Sequence, residues 1–100
     1  MSNVLATRFR ILCVGVDIRL LTTRQALLVS QGYDCLIATP ADIGEKLSPG
    51  RFNLVILSMM ISEEDKGHIR TKAPAGTRVV TLTSLVMPKE LLRIVAEALS

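Results

Sequence analysis

One hundred residues, 49% of them hydrophobic and 21% charged, with mean hydropathy +0.42, specify one compact domain spanning 1–100 and exclude a disordered chain or two independent domains. Twelve basic against nine acidic residues leave only +3, the bases are scattered, and aromatics are 3% with no Trp, so nucleic acid is not an expected partner. No apolar run is long enough to cross a bilayer and Met1–Arg8 lacks the apolar core of a signal peptide, so the chain reads as cytoplasmic, without a membrane partner.

Arg10–Val14 (RILCV) is a short apolar run between a charge and Gly15, the pattern of a strand buried on both faces. Apolar residues then recur at helical spacing from Ile18 through Leu21 and Leu28 until Gln31-Gly32, where Gly32 closes the helix. Asp34–Ala38 reads as a second strand. Thr39 caps an expected short helix over Pro40–Leu47, with Pro40 in the first position that tolerates proline, and Ser48-Pro49-Gly50 is a turn. Asn53–Ser58 (NLVILS) is the most continuous β-type run and predicts the central strand. Ser62 before Glu63, Glu64 and Asp65 predicts an N-cap with acidic residues in the favoured first turn, and a helix to about Lys72. After a loop containing Pro74 and Gly76, Arg78–Thr83 is a fourth strand and Pro88–Leu99 a closing amphipathic helix. Strands alternating with helices through short connections require a parallel sheet with right-handed crossovers and helices on both faces. The predicted fold is α/β, flavodoxin-like, a three-layer αβα sandwich with strand order 2-1-3-4.

The ordered set ILCVGVDIRLL, QGYDCLIA, RFNLVILSMM, VVTLTS and PKELLRIVAEAL resembles the receiver domain of two-component response regulators, the CheY-like superfamily, over about nine-tenths of the chain. The resemblance implies a signalling domain in a phosphorelay, in which an aspartate ending the third strand accepts a phosphoryl group and Mg²⁺ is held by carboxylates, the oxygen ligands that a small hard cation requires. Carried over by position, the acidic pocket falls on Gly15 and Val16, with Asp17 one step on, the phosphoacceptor on Ser58 and the switch threonine on Thr83. A serine hydroxyl is a poor nucleophile without an activating base. The family's fourth helix and fifth strand have no counterpart, because Thr83 is followed almost at once by Pro88-Lys89-Glu90. The resemblance therefore implies a shortened, degenerate receiver without catalytic residues, magnesium or other cofactor, acting as a protein-interaction module with a signalling partner. Loss of the fifth strand would leave Arg78 to Thr83 as a sheet edge, and self-association through that edge is expected.

A competing enzyme reading rests on Cys13 and Arg19, which have the C-x5-R spacing of cysteine-dependent phosphatases and arsenate reductases. Leu20 stands where such loops carry Ser or Thr, and Cys13 inside a strand would lack the helix terminus that lowers a thiol pKa. Cys13 and Cys35 otherwise read as reduced thiols in an apolar core. His68, the single histidine, reads as a solvent-facing helix residue. Glu63, Glu64 and Asp65 read as a solvated first turn, because adjacent helix positions point in different directions.

Overall fold

The computed structural model describes residues 9–47 and 51–100; the turn expected at Ser48–Gly50 and the Met1–Arg8 stretch lie outside the described residues. In chain order the elements are β1 (Arg10–Val14), α1 (Ile18–Ser30), β2 (Asp34–Ala38), a 3₁₀ turn (Pro40–Asp42), α2 (Ile43–Lys46), β3 (Leu54–Leu57), α3 (Glu63–Lys72), β4 (Arg78–Thr81) and α4 (Pro88–Leu99). The strands form one four-stranded parallel sheet in the order β2-β1-β3-β4, the predicted 2-1-3-4. β1 and β3 are central, which is why their sequences are apolar without alternation: every residue from Ile11 to Val14 and from Leu54 to Leu57 is fully buried.

Strand side chains divide between two cores. Ile11, Cys13, Cys35, Leu54 and Ile56 pack under α1 and α4 with Leu21, Leu28, Leu91 and Val95. Leu12, Val14, Ala38, Val55 and Leu57 pack on the opposite face with Ile43, Ile61 and Ile69, completing the three layers.

Local chemistry sets the helix ends. Asp17 Oδ1 accepts from the backbone N–H of Arg19 at 3.0 Å and of Leu20 at 3.4 Å, capping α1. At its other end Gly32 has φ +94° one residue past the C-cap Gln31, while Tyr33 N–H reaches back to the Leu28 carbonyl at 3.1 Å. Ser62 Oγ accepts from Asp65 N–H at 3.1 Å and caps α3 as expected.

Three boundaries differ from the sequence reading. The helix expected over Pro40–Leu47 divides into a 3₁₀ turn and the single-turn α2, since a segment so short sustains little regular helix; Thr39 donates its hydroxyl to the Asp42 carboxylate at 3.0 Å instead of capping a backbone N–H. The third strand is Leu54–Leu57, shorter than Asn53–Ser58. The fourth ends at Thr81, not Thr83, because its partner ends at Leu57: Leu57 pairs with Thr81, and Leu82 N–H to the Leu57 carbonyl at 2.9 Å is the last bond.

Candidate functional site

In a parallel sheet of this order, ligands are held where the strands deliver their carboxyl ends. Here β1 ends beside β3, and their continuations remain paired: Ser58 N–H donates to the Val14 carbonyl at 2.9 Å and Gly15 N–H to the Ala38 carbonyl at 3.1 Å. Gly15 and Ser58 are thereby pressed together. A Cβ on Gly15 would lie 2.5 Å from Ser58 Oγ, 3.2 Å from Ser58 Cβ and 3.1 Å from a methyl of Leu21, so glycine is the residue this junction accommodates.

The remaining space is taken by a side chain from α1. Arg24 Nη1 donates to Ser58 Oγ at 2.9 Å, and Arg24 and Ser58 are only 5% and 6% exposed. Among the described residues no carboxylate forms an ion pair with Arg24. Burial pulls its pKa below the ordinary arginine value, opposed by the nearby Cys13 thiol. A guanidinium nevertheless stays charged in proteins, so the junction carries a fixed positive charge. Arg24 escaped the sequence reading, although its signal is there: positions 21, 24 and 28 form one buried line on α1, and an arginine on such a line has to reach a polar partner.

The other positions singled out from sequence do not converge on the Arg24–Ser58 pair. Val16 and Asp17 are exposed, and the carboxylate of Asp17 is engaged by the start of α1. Thr83 is exposed beyond the end of β4. The divalent cation implied by the resemblance does not fit these residues. Of the candidate oxygens, the Ser58 hydroxyl accepts from a guanidinium and the Asp17 carboxylate from helix N–H groups, whereas the cation requires anionic oxygen and meets a positive charge. Nor does the pair form an activated nucleophile, since the group bonded to Ser58 Oγ is a donor, not a base that could take its proton.

The phosphatase reading is overturned by where its two residues lie. Cys13 is fully buried inside β1, its Sγ 3.7 Å from that of Cys35, while Arg19 is exposed on α1. The hydrogen bond shared with Cys35, burial, and the proximity of Cys35 all push the Cys13 thiol pKa well up; Arg24 opposes them weakly. Cys35 moves the other way, lowered by that same hydrogen bond against burial and Asp34. A thiol held protonated inside a strand cannot serve as the phosphate-loop nucleophile.

Around the strand ends lies an apolar rim. Val16, Ile18, Met60, Leu85 and Met87, on the segments that follow β1, β3 and β4, are each more than half exposed.

No protein-family model matches the chain, and no curated protein matches it significantly. Among solved structures, it is similar to a CheY-like response regulator receiver domain protein from Methanospirillum hungatei, at 20% identity and TM-score 0.66 over 93% of this chain and 94% of that one. It is also similar to the signal receiver domain of a putative Luxo repressor protein from Vibrio parahaemolyticus, at 15% identity and TM-score 0.60 over 92% and 90%. A de novo designed Rossmann fold protein matches at 21% identity and TM-score 0.53 over 91% and 96%. At these identities the likeness is one of architecture: the chain has the flavodoxin-like αβα fold of CheY-like receiver domains, with its sheet in the order 2-1-3-4.

Proposed function

We propose that this chain is a receiver-like signalling domain that works without aspartyl phosphorylation, as a protein-interaction module in a two-component or phosphorelay setting. The carrying observation is the Arg24–Ser58 hydrogen bond closed over Gly15. At the position matching the family's phosphoacceptor stands a hydroxyl already bonded to an internal cation, and the positions matching its acidic pair are Gly15 and Val16. The positive charge that a receiver acquires from its metal is supplied here by Arg24, a residue of the fold. The exposed apolar rim of Val16, Ile18, Met60, Leu85 and Met87 supports a protein as the partner class. Self-association along Arg78–Thr83 belongs to the same reading.

Incubation with Mg²⁺ and acetyl phosphate followed by intact-mass measurement tests it. The expected result is an unchanged mass; a stoichiometric adduct of about 80 Da would overturn the proposal.

A further inference from the structure

The two outer edges of the sheet are finished differently. In β2, Asp34 N–H donates to the Phe9 carbonyl at 2.9 Å and the Ala38 carbonyl accepts from Gly15, so the intervening Cys35 and Ile37 turn their backbone groups away from β1. Both outward carbonyls are occupied: Gln25 Nε2 donates to that of Cys35 at 2.8 Å and Lys46 Nζ to that of Ile37 at 3.1 Å. In β4, Arg78 N–H bonds the Asn53 carbonyl at 3.0 Å and Leu82 N–H the Leu57 carbonyl at 2.9 Å, which leaves Val79 and Thr81 with their N–H and C=O groups directed outward. Among the described residues none of those outward groups has a hydrogen-bond partner; Arg70 bonds the Thr81 side-chain hydroxyl and leaves its backbone free. Among the described residues, one edge has its outward carbonyls capped by side chains, and the other is an open row of donors and acceptors that templates pairing with another strand.

We infer that β4 pairs antiparallel with β4 of a second copy of this chain, about a two-fold axis through Val80, joining two four-stranded sheets into one. The inference rests on the reading of the chain as an interaction module and names its partner. In this register Val79 of one copy faces Thr81 of the other, each N–H donating to the other's carbonyl, and the symmetry axis repeats the exchange. The outward groups of β4 are thus complementary to themselves. The register also manages charge: Arg78, the one charged residue of the strand, lies opposite Leu82, and the two Arg78 side chains sit at opposite ends of the ladder. A parallel pairing in register would instead set Arg78 beside Arg78.

The test is sedimentation velocity of the full chain from low to high micromolar concentration, together with amide hydrogen exchange over the same range. The expected species is a dimer of twice 10.9 kDa. As it forms, the Val79 and Thr81 amides slow about tenfold or more, while those of Arg78 and Leu82, already bonded to neighbouring backbone, change little. Val79→Pro removes one outward donor without touching the bonds toward β3 and returns the monomer; Thr81→Pro does the same and serves if the first variant fails to fold. A monomer throughout the range, a dimer in which Val79 and Thr81 exchange at the monomer rate, or a dimer that survives both proline substitutions overturns the inference. A phosphoryl adduct from acetyl phosphate would defeat the pocket reading and leave the dimer standing, so the two failures are distinguishable.

Discussion

Arg24 and Ser58, 34 residues apart in sequence, meet through a 2.9 Å hydrogen bond in the space beside Gly15 where β1 and β3 end. Each makes the other tolerable in the interior: the hydroxyl is an acceptor for a buried guanidinium, and the guanidinium fills the volume above the hydroxyl. Removal of either therefore has unequal consequences. Ser58→Ala leaves a buried charge without its acceptor and is expected to cost about 1–3 kcal/mol in urea unfolding. Arg24→Ala removes charge and packing together and is expected to cost about 2–4 kcal/mol. The double substitution Arg24→Met, Ser58→Ala, which replaces both partners by apolar groups and leaves no charge to desolvate, should fall within about 1 kcal/mol of wild type.

Gly15→Ala drives a methyl against Ser58 Oγ and Leu21, with an expected cost of about 1–3 kcal/mol. Relief of the 2.5 Å contact by rotating Ser58 would break its bond to Arg24. The two positions should therefore couple. In a Ser58→Ala background the same glycine substitution is expected to cost less, and a double-mutant cycle of chemical denaturation measures the difference. Strict additivity would show that the junction has slack that the geometry does not display.

Cys13 gives an alkaline signature, which Cys35, shifted the other way by the same hydrogen bond, partly offsets. The folded-state pKa of Cys13 lies above its unfolded value, so the folded chain retains a proton that the unfolded chain releases. The associated stability is present below the unfolded thiol pKa of about 8.5 and is lost progressively as pH rises above it. Urea midpoints measured between neutral and alkaline pH should fall above that value, and Cys13→Ala should flatten part of the fall. Neither thiol should react with a disulfide reagent under native conditions at mildly alkaline pH, and both should react once the chain is unfolded.

Blunting of the β2 edge is also testable. Gln25→Ala combined with Lys46→Ala frees the carbonyls of Cys35 and Ile37. With both edges of the sheet open, assembly is no longer closed at two copies, and static light scattering should report species that grow with concentration. Wild-type scattering should plateau.

Most of the architecture was legible because it rests on local signals. The unbroken apolar runs of β1 and β3 declare strands covered on both faces, and Ser62 with its acidic followers declares α3. Strand ends were less legible, since where β4 stops is decided by the length of β3 and not by its own β-branched residues. Gly15 and Ser58 could be placed at the strand ends by position. The identity of what lies between them could not, because it comes from the middle of α1 and depends on the angle at which that helix crosses the sheet. The edge caps were hidden for the same reason: Gln25 and Lys46 look like ordinary surface residues until the fold sets them beside carbonyls of β2.

The buried guanidinium has an evolutionary consequence. A route from this junction to a metal-dependent phosphoacceptor needs new carboxylates at 15, 16 or 58 and the departure of Arg24. A carboxylate placed first at 58 would form a buried ion pair with Arg24, and later loss of the arginine would strand that new charge in the interior, a change that costs several kcal/mol. Loss of Arg24 first empties the volume that holds the strand ends together. In either order one replacement leaves an unpaired buried group or an unfilled volume at the strand ends, so a site of that kind is separated from this junction by a valley in stability.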